Sequence, residues 1–244
     1  MRPADSSARP PLGGVEASLA LGKVTLTRAL RTRALWVGFV VAFLPELFAG
    51  SALRSPEITQ WEGVVRIWIQ CLGVLVPVLL ASSIGEELEE KTMTYLWSRP
   101  LPRWSILTGK LTALVPLLWA FMAAALLLPW FTVFGQATAG HGELLTRGLL
   151  AVVVGGVAVA AVTTALATLA PRYGMALSIA YLLFVDGALA QFDGSVSKIS
   201  VLFHTRQLAY PPEAVEAAGT SVVWLVALAT AWMTVAVLRI RRFE

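Results

Sequence analysis

Apolar residues arrive along this chain in six long runs separated by polar punctuation. The runs cover roughly residues 34–53, 63–84, 111–134, 148–170, 174–190 and 217–238. About 20 apolar residues suffice to carry a helix across the hydrocarbon core. The pattern therefore predicts an all-α, polytopic membrane protein with six transmembrane helices over residues 16–244. The third run holds no charge and carries Pro116 and Pro129, while the first and second carry Pro45 and Pro77. The fourth is rich in small residues, among them Gly155, Gly156, Ala160, Ala161 and Ala165. Small residues let helix backbones approach closely in lipid, so this run is expected inside the bundle. Within the long polar connection 191–216, Val196, Ile199, Leu202 and Phe203 fall at helical spacing and predict a short helix at the outer interface.

The stretch 16–33 alternates Leu19, Val24, Leu26 and Leu30 with Lys23, Arg28, Arg31 and Arg33. It reads either as an amphipathic helix on the inner membrane surface or as a basic flank that sets orientation. Residues 1–15, rich in Pro, Ser, Ala, Gly and Arg, read as a flexible cytoplasmic tail.

Composition agrees with the pattern. The chain of 244 residues is 57% hydrophobic and 14% charged, with a mean hydropathy of +0.73, values outside the range of soluble domains. The lone cysteine, Cys71, excludes an intrachain disulfide. Of the 19 Lys and Arg, all but five (Arg54, Arg66, Arg147, Lys198 and Arg206) fall on the side of the amino terminus. That bias places both ends and the 84–110 connection in the cytoplasm.

The 84–110 connection is where dense charge interrupts the apolar runs. Glu86, Glu87, Glu89 and Glu90 end one run, and Arg99, Arg103 and Lys110 lead into the next. Glu87 and Lys91 have the helix-favouring order at four residues' separation. Pro100 and Pro102 then break the helix, and Pro102 suits the first turn of a new one. Leu88, Met93, Leu96 and Trp97 add an apolar side. On composition alone this is either a charged linker or a docking element. The acidic cluster, Glu-Lys-Thr, a hydrophobic turn and Arg-Pro-x-x-Arg followed by Lys together resemble the first cytoplasmic loop of the ABC type 2 permeases. Those are the membrane subunits of one class of ATP-binding cassette exporter. The matching positions are Glu86, Glu87, Glu90, Thr92, Pro100, Arg103 and Lys110.

The resemblance implies a cytoplasmic coupling helix over 84–110 that docks on a separate ABC ATPase subunit. It further implies a second permease subunit, identical or a sister, and ATP and Mg bound by the ATPase rather than by this chain. The chain departs from the commonest pattern in having Lys91-Thr92-Met93 where many members have a Gly-Thr-Leu-like run. An ATP-independent secondary transporter and a membrane anchor or assembly factor are the other classes that fit a six-run membrane chain.

No Gly-x-x-x-x-Gly-Lys-Ser/Thr loop occurs, so if transport is driven by ATP a separate subunit must bind it, and the chain is expected to be a transport subunit rather than an enzyme. His141 and His204 lack neighbouring ligands, which argues against a metal site. Acids within spans are costly and often functional. Glu46 and Asp186 either line an outward substrate pathway with Arg66, or reach outer water or cap a helix end. Trp36, Trp61, Trp68, Trp97, Trp104, Trp130, Trp224 and Trp232 read as interfacial anchors. Short outer loops and long apolar surfaces fit a lipid, lipid-linked or amphipathic cargo.

Overall fold

A computed structural model describes residues 14–31, 33–51, 57–89, 104–135, 140–192, 194–210 and 216–241. Eight helices account for nearly all of them: α1 (Gly14–Ala29), α2 (Arg33–Ser51), α3 (Glu57–Glu89), α4 (Trp104–Phe134), α5 (Gly142–Leu169), α6 (Pro171–Leu189), α7 (Val201–Ala209) and α8 (Glu216–Arg241). No strand occurs among the described residues. The chain is an all-α polytopic membrane protein. Five helices are long and apolar enough to cross a bilayer: Glu57–Ala81, Leu107–Phe134, Gly142–Leu169, Pro171–Leu189 and Ala218–Ile240. The apolar part of α2, Leu35–Gly50, is shorter. At 1.5 Å per residue it covers about 24 Å against a hydrocarbon core of about 30 Å.

The bundle is built around α3 and α5, the most deeply buried of the long helices. α2 and α4 pack on α3, while α8 packs on α5, and α6 and α7 fill the space beside both. Close approach is purchased with glycine where the sequence has it. A Cβ on Gly155 of α5 would meet the Thr205 side chain of α7 at 2.6 Å, and one on Gly148 would meet Leu126 of α4 at 2.6 Å. The outer faces of α2, α6 and α8 carry Phe39, Val40, Phe184, Val185, Val223 and Val226, apolar and exposed, as lipid contact requires.

Helix ends depart from the apolar runs in three places. α3 starts at Glu57, taking in much of a predicted polar link. α5 starts at Gly142, ahead of the apolar run expected from residue 148, because the polar residues before that run serve the helix. Arg147 pairs with Glu143 at 2.6 Å, and the Thr146 hydroxyl donates to the Gly142 carbonyl. The short helix expected from Val196 begins instead at Val201. Ser200, in extended conformation, is its N-cap, and its hydroxyl accepts from the Phe203 N–H at 3.0 Å.

The tryptophans divide. Trp36 is exposed, but Trp61, Trp68 and Trp130 are core residues rather than interfacial anchors. The Trp68 indole donates to the Met122 carbonyl of α4, and Trp61, Trp130 and Phe134 pack ring on ring. A buried indole usually finds such an acceptor, and α4 supplies it for Trp68, whereas the buried Trp61 Nε1 makes no hydrogen bond among the described residues.

Candidate functional site

Antiparallel helices give the bundle two ends. The proximal end carries α1, the close of α3 and the start of α4; the distal end carries the start of α3 and the α6–α7 connection.

At the proximal end α1 lies against the first turns of α4. Ser18, Gly22 and Thr25 face inward, whereas Leu19, at 66% exposure, and Val24 face outward. The Ser18 and Thr108 hydroxyls are 3.1 Å apart. The helices cross at glycines: a Cβ on Gly109 would lie 2.7 Å from the Ser18 carbonyl, and one on Gly22 would lie 3.0 Å from the Gly109 carbonyl. Next to this crossing is Lys110, only 3% exposed, whose Nζ donates to the Ser83 carbonyl of α3. A buried ammonium is tolerated only where carbonyls or acids receive it. Here that bond ties the last turns of α3 to the first turns of α4. Glu86 and Glu87 lie in those last turns of α3, on backbone that is described without their side chains. Glu90, Thr92, Pro100 and Arg103 lie outside the described residues, as does the tail expected over 1–15 up to residue 13.

At the distal end Glu46, Arg66 and Asp186 are not brought together. Glu46 lies where α2 meets α4. Its Oε1 accepts from the Thr132 hydroxyl at 2.5 Å, and its Oε2 is buried with no partner among the described residues. Asp186 is fully buried at the end of a π-helical turn, Tyr181–Asp186, within α6. Its Oδ1 accepts from the Val201 N–H at 3.0 Å, and its Oδ2 accepts from the Leu202 N–H at 2.8 Å and the Ser200 hydroxyl at 3.0 Å. An acid in a membrane bundle is expensive unless its lone pairs are met. The orphan amides at the start of α7 meet them, and the carboxylate in turn satisfies the helix terminus. Arg66 pairs with neither acid; its guanidinium contacts Glu62 at 3.4 Å, one turn away.

Arg66 opens instead onto a cleft of about 1020 Å³ between α2, α3, α6 and α7. Val41 and Leu44 of α2, Ile67 and Val74 of α3, and Leu183 and Phe184 of α6 give it apolar walls. Gln70, Gln191, Arg206 and Gln207 add polar groups, and a smaller hollow bounded by Glu62, Val65, Arg66, Arg206 and Tyr210 shares both arginines. Arg206 was not singled out by sequence reasoning. Its signal was available as one of the five cations on the side opposite the amino terminus.

His204, on the far side of α7, is buried and stacks on Trp224 of α8. Its Nε2 lies 2.9 Å from the Lys198 carbonyl and its Nδ1 lies 3.5 Å from the Ser221 hydroxyl. Burial, opposed by the Lys198 carbonyl and assisted by the Lys198 ammonium, holds its pKa below the usual 6.5. These contacts join α7 to α8.

A comparison with curated proteins finds no match to the chain. The family model described as ABC-2 family transporter protein matches residues 64–197, a stretch running from the second turn of α3 through the 84–110 connection, α4, α5 and α6. With more than half of its length matched, and with the long apolar helices such a membrane subunit requires, the chain belongs to the ABC-2 transporter family, as a multi-pass membrane permease.

Proposed function

We propose that this chain is the permease subunit of an ATP-driven exporter of the cytoplasmic membrane, powered by a separate ABC ATPase. Both chain ends and residues 84–110 face the cytoplasm in this reading, as the distribution of Lys and Arg supports. Two permeases, identical or paired with a sister subunit, join two ATPases, which hold ATP and Mg; this chain holds no nucleotide and is itself not an enzyme. The observation that carries the proposal is the braced base of the 84–110 segment. Lys110 holds α3 to α4, and α1 clamps the start of α4 through Gly22 and Gly109. A docking element transmits force only if its mounts do not yield, and both mounts here continue as long helices of the bundle. Closure of the ATPase pair would displace Glu86, Glu87, Glu90, Thr92, Pro100 and Arg103 as a unit, and α3 and α4 would carry that displacement towards the distal cleft.

The test is purification in mild detergent with identification of the soluble subunit that accompanies the chain, followed by Glu86→Ala with Glu90→Ala. An ABC ATPase is expected in the purified complex, and its hydrolysis is expected to lose stimulation by cargo in the double variant. A double variant with unchanged ATPase association and unchanged cargo-stimulated turnover would remove 84–110 from the coupling role.

A further inference from the structure

We propose that the distal cleft binds an anionic phospholipid-type amphiphile, its phosphate held by Arg66 and Arg206 and its chain laid along the apolar wall. This rests on the permease reading and narrows its cargo to a class.

Charge is the first reason. Arg66 stands three residues inside the apolar run that opens at residue 63, about 4.5 Å along the helix. A guanidinium in a span is costly unless it meets water, an acid or a phosphate. Glu62 supplies one carboxylate at 3.4 Å. The Arg206 guanidinium makes no hydrogen bond or ion pair among the described residues. Among the described residues two planar forks border the cleft with a single acid between them, and guanidinium forks match phosphate oxygens in pairs. The amides at the start of α7 add nothing to that attraction, because the Asp186 carboxylate already occupies them.

Shape is the second reason. The volume of about 1020 Å³ stands at the top of the about 300–1,000 Å³ typical of small-molecule sites. Its apolar wall includes Val41, Leu44, Val74 and Phe184, with Gln70, Gln191 and Gln207 nearer the arginines in character. Phe184 is 74% exposed and belongs to the lipid-facing side of α6, so the cleft opens sideways toward hydrocarbon. An occupant arriving from the bilayer brings a chain for the wall and a head group for the two arginines. A free anion would use only the second.

The experiment uses the full chain, purified without an ATPase in neutral detergent and titrated with a fluorescent phosphatidylglycerol-type lipid. Binding is expected to be about tenfold tighter than for a phosphatidylcholine-type lipid of the same chains, and about tenfold weaker in R66Q/R206Q. R206Q alone, at an exposed position, is expected to show part of the loss. K198Q, which removes an exposed cation outside the cleft, is expected to bind as the unsubstituted chain does. V74W fills the apolar wall and is expected to weaken lipid binding with both arginines in place. Inorganic phosphate is not expected to compete. The proposal is overturned by unchanged binding in R66Q/R206Q or in V74W, by an equal loss in K198Q, or by displacement of the lipid by inorganic phosphate. Because no ATPase is present, any of those results leaves the coupling role of residues 84–110 standing, and failure of that role leaves the lipid titration unaffected.

Discussion

The two ends of the bundle solve opposite problems with similar residues. At the proximal end a cation is driven inside: Lys110 is buried, bonded to a carbonyl, and flanked by two helices that touch through glycine. At the distal end cations are left open: Arg66 and Arg206 border a wide cleft, with Glu62 as the partner of one of them. Charge that is enclosed and satisfied fixes the relative position of helices. Charge that is exposed and under-matched is available to something outside the chain. Burial and partners, more than residue type, thus separate a structural cation from a recognition group.

That contrast can be broken experimentally, most severely at Asp186. Asp186→Ala would strand the Val201 and Leu202 amides in the interior, costing about 2 kcal/mol or more, while the Ser200 hydroxyl keeps the backbone carbonyl of residue 186 at 3.1 Å. The thermal midpoint in detergent should fall sharply, while Asp186→Asn, which keeps one acceptor oxygen, should fall less. At the proximal crossing, Gly109→Val would push a methyl-bearing carbon against the Ser18 carbonyl and cost about 1–3 kcal/mol. Protease accessibility of α1 should rise in that variant, and a resistant α1 would mean the clamp is not the glycine contact. A smaller effect is expected with pH. His204 has a folded pKa below its unfolded 6.5, so the fold gains stability above that value and loses it as pH falls toward the lowered pKa. Thermal scans across that range should show the slope, and His204→Gln should flatten it. The smallest effect belongs to Glu62→Gln. With side chains 66% and 48% exposed, the Arg66–Glu62 pair is worth well under about 1 kcal/mol, so the midpoint should hardly move. A large shift there would show that Arg66 is structural and would erase the distinction between the two ends.

Much of the fold was legible because lipid enforces its own rules. Apolar runs of membrane-spanning length announced the helices, and the small residues of 148–170 announced which helix sits inside. What escaped depended on partners distant in sequence. Ser18, Gly22 and Thr25 stand at helical spacing, yet the apolar residues beside them drew attention to the lipid-facing side of α1 rather than to the side that meets α4. Trp68 is typical of a membrane-interface residue until an acceptor, the Met122 carbonyl, appears on another helix. The helix expected at Val196 begins at Val201, because Ser200 and Asp186 together decide where α7 starts. For the candidate site, the 84–110 element was visible as a motif, and Arg66 was noted for its place in a span. Its association with Arg206, 140 positions later in the chain, arises from tertiary packing that no local pattern encodes.

The Asp186 carboxylate has a mechanical corollary. It fastens the first turn of α7 to the last turns of α6, while the other side of α7 rests in the notch left by Gly155 on α5. Arg206 is therefore mounted on a short lever whose pivot belongs to α6, whereas Arg66 rides on α3. Sliding α6 along α3 by a single residue's rise, about 1.5 Å, would alter the spacing of the two guanidiniums. Grip on a head group would then tighten or slacken through backbone translation alone, without rotation of either arginine side chain.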